Sequence, residues 1–368
     1  MIIKDRRNIE DILLRFLNDR AFSGCALGVS RLRSEGFERL HVFAGKADEE
    51  NNAEEVNKRS FFDVASLTKP LVTVLSILSL VKEGKICFEE KLETLLPVNI
   101  PADKKRIDVI HLLSHRSGLP SHREYYRKAV DGEVLCAEKL VEIILQEKLE
   151  NKPGEKYIYS DLDYMLLGEI IKWKSGESIE SYWRKRIVEP LFLSENFRCQ
   201  GFKKGENEDS FVSTGKCSWS KVALQGEVHD DNCRAVQEMM GHAGLFATLG
   251  GIMHLCEDIL LNYLGRSNHP SYERDDLLYI LNRKNNNHRV AGFDVVTGES
   301  PSSGKYFSTQ TIGHLGFTGT SFWIDLKKKI LIVLLTNRVI CGADKRKIQE
   351  MRPRIHDAVM ENLIKDNF

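Results

Sequence analysis

The chain has no surplus of charge of either sign. Its 53 lysines and arginines are balanced by 53 aspartates and glutamates in 368 residues. That balance offers no chain-wide field for nucleic acid or an anionic membrane surface, though it leaves room for a local basic patch. The first residues turn charged at Lys4, Asp5 and Arg6 with no apolar h-region, so the expectation is a cytoplasmic protein. No apolar run is read as long enough to span a bilayer. The eight cysteines, scattered from Cys25 to Cys341, form no C-x-x-C pair. This argues against a disulfide framework or a zinc site and predicts reduced, mostly buried thiols. Internal repeats and low-complexity tracts are also missing. A chain of this length can bury a large core as one domain or as two or three smaller ones.

What is present reads as helix, then sheet, then helix, then sheet. Ile9, Ile12, Leu13, Phe16 and Leu17 mark one stripe of an amphipathic helix over residues 5–19. Gly24 to Val29 and Leu40 to Phe43 read as a hairpin around the turn Arg33 to Gly36. Helical periodicity then dominates from about Phe88 to Gly250, with candidate helices near 107–114, 135–147, 162–174, 178–187 and 249–264. Residues 266–289 are polar and Asn-rich and read as an exposed connection. Ser321 to Asp325 and Lys329 to Thr336 form a second hairpin, and Lys345 to Ile364 a closing amphipathic helix. The simplest architecture is a sheet lobe from both chain ends, residues 1–70 plus 285–368, with a mainly helical lobe, 71–284, inserted between.

The chemistry is expected at Phe61-Phe62-Asp63-Val64-Ala65-Ser66-Leu67-Thr68-Lys69-Pro70, where a short apolar run stops at a serine. The nearly unbroken apolar sequence from Leu71 onward reads as a buried helix, with Gly84 as its C′ stop. A serine in the first turn of such a helix lies among unsatisfied N–H groups at the positive end of the dipole. Lys69, three residues on, projects from the same face. Serine-x-x-lysine is a known nucleophile signature, but it occurs five times here, at Ser66, Ser79, Ser213, Ser218 and Ser302. Only Ser66 stands before an apolar helix. The alternative for Ser66 is a plain helix N-cap.

A serine nucleophile needs a base and an oxyanion site. Tyr159-Ser160-Asp161 precedes an apolar helix, and Gly313-His314-Leu315-Gly316-Phe317-Thr318-Gly319 leads into the second hairpin, where glycines let backbone approach a ligand. With these in order, the chain resembles the serine β-lactamase and penicillin-binding-protein superfamily, on the branch of class C β-lactamases, esterases and D-amino-acid peptidases. The stretches His111 to Leu119, Glu227 to Asp230, Gly241 to Phe246 and Gly316 to Ser321 also resemble that branch. The resemblance implies an α/β (α+β) fold, an antiparallel sheet flanked by helices, with the site between the sheet and the helical lobe. It implies Ser66 as nucleophile, Lys69 and Tyr159 as general base and acid, the N–H groups of Ser66 and Phe317 as oxyanion hole beside Gly316, and His314 lining the pocket. No cofactor or metal is implied. The expected partner is a small-molecule or short-peptide substrate, not nucleic acid or membrane. The expected reaction is hydrolysis of an ester or amide, with a D-amino-acid or cell-wall-derived peptide among the expected substrates, through an acyl-enzyme. A β-lactamase and a catalytically weak binding or sensor protein are the alternatives.

Two positions depart from the pattern. Asp161 stands where asparagine is usual, and a carboxylate there would raise the Lys69 pKa, against the lowering expected from burial and the helix N-terminus, and favour Tyr159 as base. Leu315 replaces a hydroxyl residue. Other candidates have structural readings. Asp161 could cap the helix from Leu162, Lys174-Ser175-Gly176 reads as a C-cap, and His111, His115, His229 and His242 read as structural or loop-packing residues.

Overall fold

In a computed structural model of the chain, the structure describes residues 6–50, 52–200, 209–282, 290–297, 301–342 and 344–365. Its largest sheet has six strands in the order Gly36–Gly45, Gly24–Arg33, Ile330–Thr336, Ser321–Asp325, Thr311–Leu315 and Asp294–Val295, every neighbouring pair antiparallel. The first and last parts of the chain meet in the register Cys25 to Thr336 through Arg31 to Ile330. Alternate residues face opposite sides of a strand. Thus Leu27, Val29, Ile332 and Leu334 enter one core, while Ala26, Val333 and Leu335 enter the other. Both faces are covered, which is why the Ile330–Thr336 strand is an unbroken apolar run.

One face is covered by the helices Arg6–Asn18 and Arg346–Lys365, whose Ile9, Leu13, Met351, Ile355 and Val359 share a core. The other is covered by the Leu249–Tyr263 helix, where a Cβ on Gly28 would come within 2.2 Å of the Met253 sulfur. Beyond that helix lie the helices Val109–Leu113, Ala137–Gln146, Asp161–Ser175 and Ile179–Trp183, close to the expected positions. The two expected hairpins and both terminal helices are also present.

Three features differ from the sequence reading. The stretch between 88 and 250 also holds strands: Phe197–Cys199, Leu245–Ala247 and Ser210–Phe211 join Ser60–Asp63, from before it, in a small second sheet. Their pairing is non-local and their length is two to four residues, too short for a period to declare itself. Within the expected exposed connection, Arg274–Asn282 is a helix that buries Leu277, Ile280 and Leu281; positions 283–289 of that connection lie outside the described residues. Finally, Ala65–Lys82 is long and apolar enough to cross a membrane by composition, with mean hydropathy 1.4, contrary to the reading above. It is 83% buried inside the fold and serves as the central core element. All eight cysteines are free thiols; five are buried, while Cys87 and Cys136 are exposed.

Candidate active site

Ser66 sits where three backbone geometries meet. The Ser60–Asp63 strand ends, Ala65 takes a left-handed φ of 49°, and a 3₁₀ turn covers Ala65–Leu67. A π-helical segment, Lys69–Val74, follows before the α-helix Leu75–Lys82 begins. A single α-helix was expected here. A left-handed non-glycine residue and a π segment are both costly and recur at functional sites. Asp63 holds the bend: its Oδ1 accepts from the Ala65 N–H at 2.8 Å and its Oδ2 from the His229 N–H at 2.7 Å. Val64, not Ser66, occupies the N-cap position of the 3₁₀ turn. Ser79 lies in mid-helix, its hydroxyl bonded by Tyr182 at 2.9 Å.

Lys69 is fully buried behind the serine, with Nζ 3.2 Å from Ser66 Oγ and 2.7 Å from Asp161 Oδ1. It also donates to the His242 carbonyl at 3.4 Å and lies 4.9 Å from the centre of the Tyr159 ring. Both Lys69 and Ser66 act on the Tyr159 phenol electrostatically, favouring its ionised form. Burial opposes the Lys69 charge, but Asp161 and Tyr159 outweigh it and hold the ammonium above the ordinary lysine range. The expected fall in its pKa therefore does not occur. Burial raises the Tyr159 phenol, and the neighbouring Lys69 pulls it back. Asp161 resists desolvation through Lys69, His122 and His242 and stays well below the ordinary carboxylate range.

Asp161 does not cap the helix it opens. Ser160 is the N-cap, its Oγ accepting from the Asp163 N–H, which leaves the Asp161 carboxylate free to face Lys69. Its second oxygen lies 3.2 Å from His122 Nδ1, a contact that the sequence, 39 residues apart, did not reveal. Gly176 ends that helix in the left-handed conformation at φ 77°, as a C-cap glycine should. His115, read as structural, packs its ring 4.6 Å from Tyr159 and accepts from the Ser160 N–H at 3.1 Å, so it supports the tyrosine.

The opposite wall comes from the Thr311–Leu315 strand and the turn after it. Thr318 Oγ1 bonds to the Asp63 carbonyl at 2.8 Å and Thr320 Oγ1 to the Val64 carbonyl at 3.1 Å, tying the turn to the loop that carries Ser66. Gly316 fits between them, where a Cβ would stand 2.0 Å from Thr320 Oγ1 and 2.8 Å from the Val64 oxygen. Among the described residues, neither the Ser66 N–H nor the Phe317 N–H finds a backbone acceptor. His314 is buried with its ring 6.0 Å from that of Tyr159. The structure thus brings together Ser66, Lys69, Tyr159, Asp161, His314, Gly316 and Phe317.

Two cavities open at Ser66, both also touching Tyr159, Phe317 and Lys345. One, of about 320 Å³, runs past His314 to Arg338 and Arg352. The other, of about 480 Å³, is walled by Asp161, Asp230, His122, His229 and His242. His229 and His242 are therefore site residues rather than remote loop packing: His229 stacks on Phe317 at 5.3 Å, and His242 Nε2 lies 3.0 Å from Asp230. Arg338 and Arg352 were also missed. Arg352, 5% exposed, donates to the carbonyls of Gly316 at 3.2 Å and Thr320 at 2.8 Å, and Arg338 lies over the Phe317 ring at 4.7 Å.

A family model described as Beta-lactamase matches residues 9–350. A "Putative D-alanyl-D-alanine carboxypeptidase" of Escherichia coli (strain K12) is 31% identical over 306 residues, 76% of this chain and 69% of that protein. An "N-acetylmuramyl-L-alanine amidase" of Bacillus subtilis (strain 168) is 29% identical over 311 residues, 76% of this chain and 68% of that protein. Among solved structures, "EstCE1, a hydrolase with promiscuous acyltransferase activity" superposes with a TM-score of 0.76 over 96% of this chain and 98% of that one, at 18% identity, a likeness of fold.

Proposed function

The chain belongs to the beta-lactamase family and is a serine hydrolase; from that premise we propose that it acylates Ser66 with an ester or amide substrate and releases the acyl group to water. The observation that carries this reading is the convergence of Ser66 Oγ, the Lys69 ammonium and the Tyr159 phenol, with Nζ 3.2 Å from Oγ, at the junction of two cavities.

In this reading Tyr159 takes the serine proton as Oγ attacks the carbonyl carbon. The buried Lys69 cation, held charged by Asp161, stabilises the phenolate that forms. The oxyanion is received by the N–H groups of Ser66 and Phe317, a contribution worth about 10²–10³ in turnover per donor. Tyr159 then returns the proton to the leaving oxygen or nitrogen as the carbonyl–leaving-group bond breaks. A water repeats the sequence on the acyl-enzyme, giving the acid and restoring Ser66.

The names of the two relatives direct attention to amide bonds of cell-wall peptides. Arg338, Arg352 and Lys345 around the smaller cavity suit a substrate carboxylate, which supports a short peptide with a free C-terminus over a neutral ester. Leu315 offers that carboxylate no hydroxyl, which weakens the β-lactamase reading. Burial holds the Arg338 guanidinium below the ordinary arginine range, and it lies over the Phe317 ring at 4.7 Å on the wall of this cavity. The test is intact mass after exposure to a fluorophosphonate, with peptide mapping, for wild type and Ser66→Ala. A single adduct on Ser66, missing from the variant, is expected. An adduct elsewhere, or none, would sink the proposal and leave a binding protein.

A further inference from the structure

Both oxygens of Asp161 are engaged, each by a different nitrogen. Oδ1 lies 2.7 Å from Lys69 Nζ and Oδ2 lies 3.2 Å from His122 Nδ1. The last torsion of an aspartate side chain is a broad, roughly two-fold well, so a carboxylate held from one side only turns easily. Asp161 would then swing from the ammonium toward the larger cavity, which it walls together with His122. Lys69 depends on that alignment. Its ammonium has three donors, and its oxygen neighbours are Asp161 Oδ1, Ser66 Oγ at 3.2 Å and the His242 carbonyl at 3.4 Å. Asp161 is the nearest of these and the one that bears a charge, so it sets the tilt of the ammonium toward Ser66.

His122 is built to hold the carboxylate in place. Its side chain is 46% exposed, yet the backbone around it is pinned on both sides. The Ser160 hydroxyl donates to the Pro120 carbonyl at 2.6 Å and the Asp161 N–H to the Ser121 carbonyl at 2.9 Å, tying the loop to the first turn of the Asp161–Ser175 helix. After His122, buried Asn232 of the Asp231–Val236 helix donates to the Arg123 carbonyl at 2.8 Å and accepts from the Tyr126 N–H at 2.9 Å. An ordinary surface ion pair contributes little because ordering two free side chains offsets its gain. In this pair the loop and the carboxylate are bonded to each other through the backbone as well. Lys345 lines the same cavity, but the ion pairs of Asp161 are with Lys69 and His122. The bond to Asp161 raises the imidazole above the ordinary histidine range; burial opposes it, and Asp230 and Glu124 add to it in lesser measure.

We infer that His122 is a positioning residue for acylation: by holding Asp161 Oδ2 it keeps Oδ1 on Lys69, and so keeps the ammonium aimed at Ser66. This rests on the reading of Ser66 as the acylated residue. The role requires an N–H donor at the place of Nδ1, which an asparagine amide also supplies.

The rate of fluorophosphonate labelling of Ser66, followed by intact mass with peptide mapping, compares wild type, His122→Ala and His122→Asn. His122→Ala should label roughly tenfold or more slowly, as expected when a reacting constellation loses its alignment. His122→Asn should recover to within about threefold of wild type, because the donor is restored. The pairing is also read without any reaction, by NMR titration of the imidazole. In the wild type His122 should titrate above 6.5, and in Asp161→Asn it should move back toward that value. Labelling of His122→Ala at the wild-type rate, equal slowing in both variants, or a His122 titration indifferent to Asp161→Asn would overturn the inference. His122→Asn and the titration decide it even where His122→Ala does not fold. A wild type that takes no label would sink the hydrolase reading itself, whereas failure of this inference shows in the variants of a labelled protein.

Discussion

The Asp161 carboxylate, half-buried on the cavity wall, stands 2.7 Å from the ammonium of the fully buried Lys69. With an opposite charge at that distance, Lys69 keeps its proton throughout the working pH range. A lysine held charged in this way favours Tyr159, in the proposed mechanism, as the base that deprotonates the serine. Asp161→Asn removes the charge but keeps the shape. Desolvation, no longer opposed, should bring the lysine ionisation down into the accessible range. The pH profile of ester acylation, followed by stopped-flow release of a phenol, should acquire a new limb in the variant. Acylation at neutral pH should fall by roughly 10²-fold, the scale of one acid–base element. Superimposable profiles would show that Asp161 does not set the Lys69 charge.

Gly316 lies between Thr320 and the Val64 carbonyl, with no space for a side chain. Gly316→Ala must push the turn away from the Ser66 loop and carry the Phe317 N–H with it. Turnover should drop by about 10²–10³, as for loss of an oxyanion donor. Overpacking should cost about 1–3 kcal/mol of stability, read by chemical denaturation. An alanine variant with normal turnover would place the oxyanion elsewhere.

The sequence made the regular elements legible where a period could run. The amphipathic ends, both hairpins and the helices near 137, 161 and 249 follow from periods of 3.6 and 2 and from stops such as Gly176. The residues of the site were legible as well, because Ser66, Lys69, Tyr159 and the Gly313 to Gly319 stretch each carry a pattern. The rest depends on distance in three dimensions. The π segment after Lys69 has no composition of its own, and the short Leu245–Ala247 strand exists only because Phe197–Cys199 and Ser60–Asp63 pair with it. His122, Asp230 and Arg352 look like surface residues in the sequence. Each becomes a wall of the site through a contact whose partner lies elsewhere in the chain. Ser160 rather than Asp161 caps its helix because the hydroxyl also bonds to the Pro120 carbonyl at 2.6 Å, a tertiary preference that no local pattern states.

Arg338 bears on specificity. It is 3% exposed, lies over Phe317 and lines the smaller cavity with Arg352. Arg338→Gln should raise KM for a peptide ending in a free carboxylate by about tenfold or more, with kcat changed much less, since a charge-assisted hydrogen bond is lost in ground and transition states alike. KM for the same peptide as a C-terminal amide should hardly move. Equal effects on both substrates would assign Arg338 to packing rather than to anion recognition.

His356 predicts how the fold responds to acid. It is fully buried on the closing helix, with Nδ1 3.1 Å from the Ser302 carbonyl and its ring edge-on to Phe307 at 6.2 Å. Burial, with the Arg352 cation adding to it, lowers its pKa from 6.5 to about 3 against the bond to Ser302. The imidazole is thus neutral in the folded chain and takes up a proton readily only once unfolded. A depressed folded pKa lends stability that is complete above the unfolded value of 6.5 and is lost as pH falls from there toward 3. Across that window the loss is at most about 1.4 kcal/mol per pH unit. His356→Phe keeps the aromatic volume and removes the titration. It should cost about 1 kcal/mol at neutral pH through the missing hydrogen bond. The gap should then close and reverse in denaturant titrations from neutral pH down to about pH 4, where the wild type is still losing stability through this residue. Parallel stability curves for the two proteins would mean that His356 is charged, or reached by water, in the folded state.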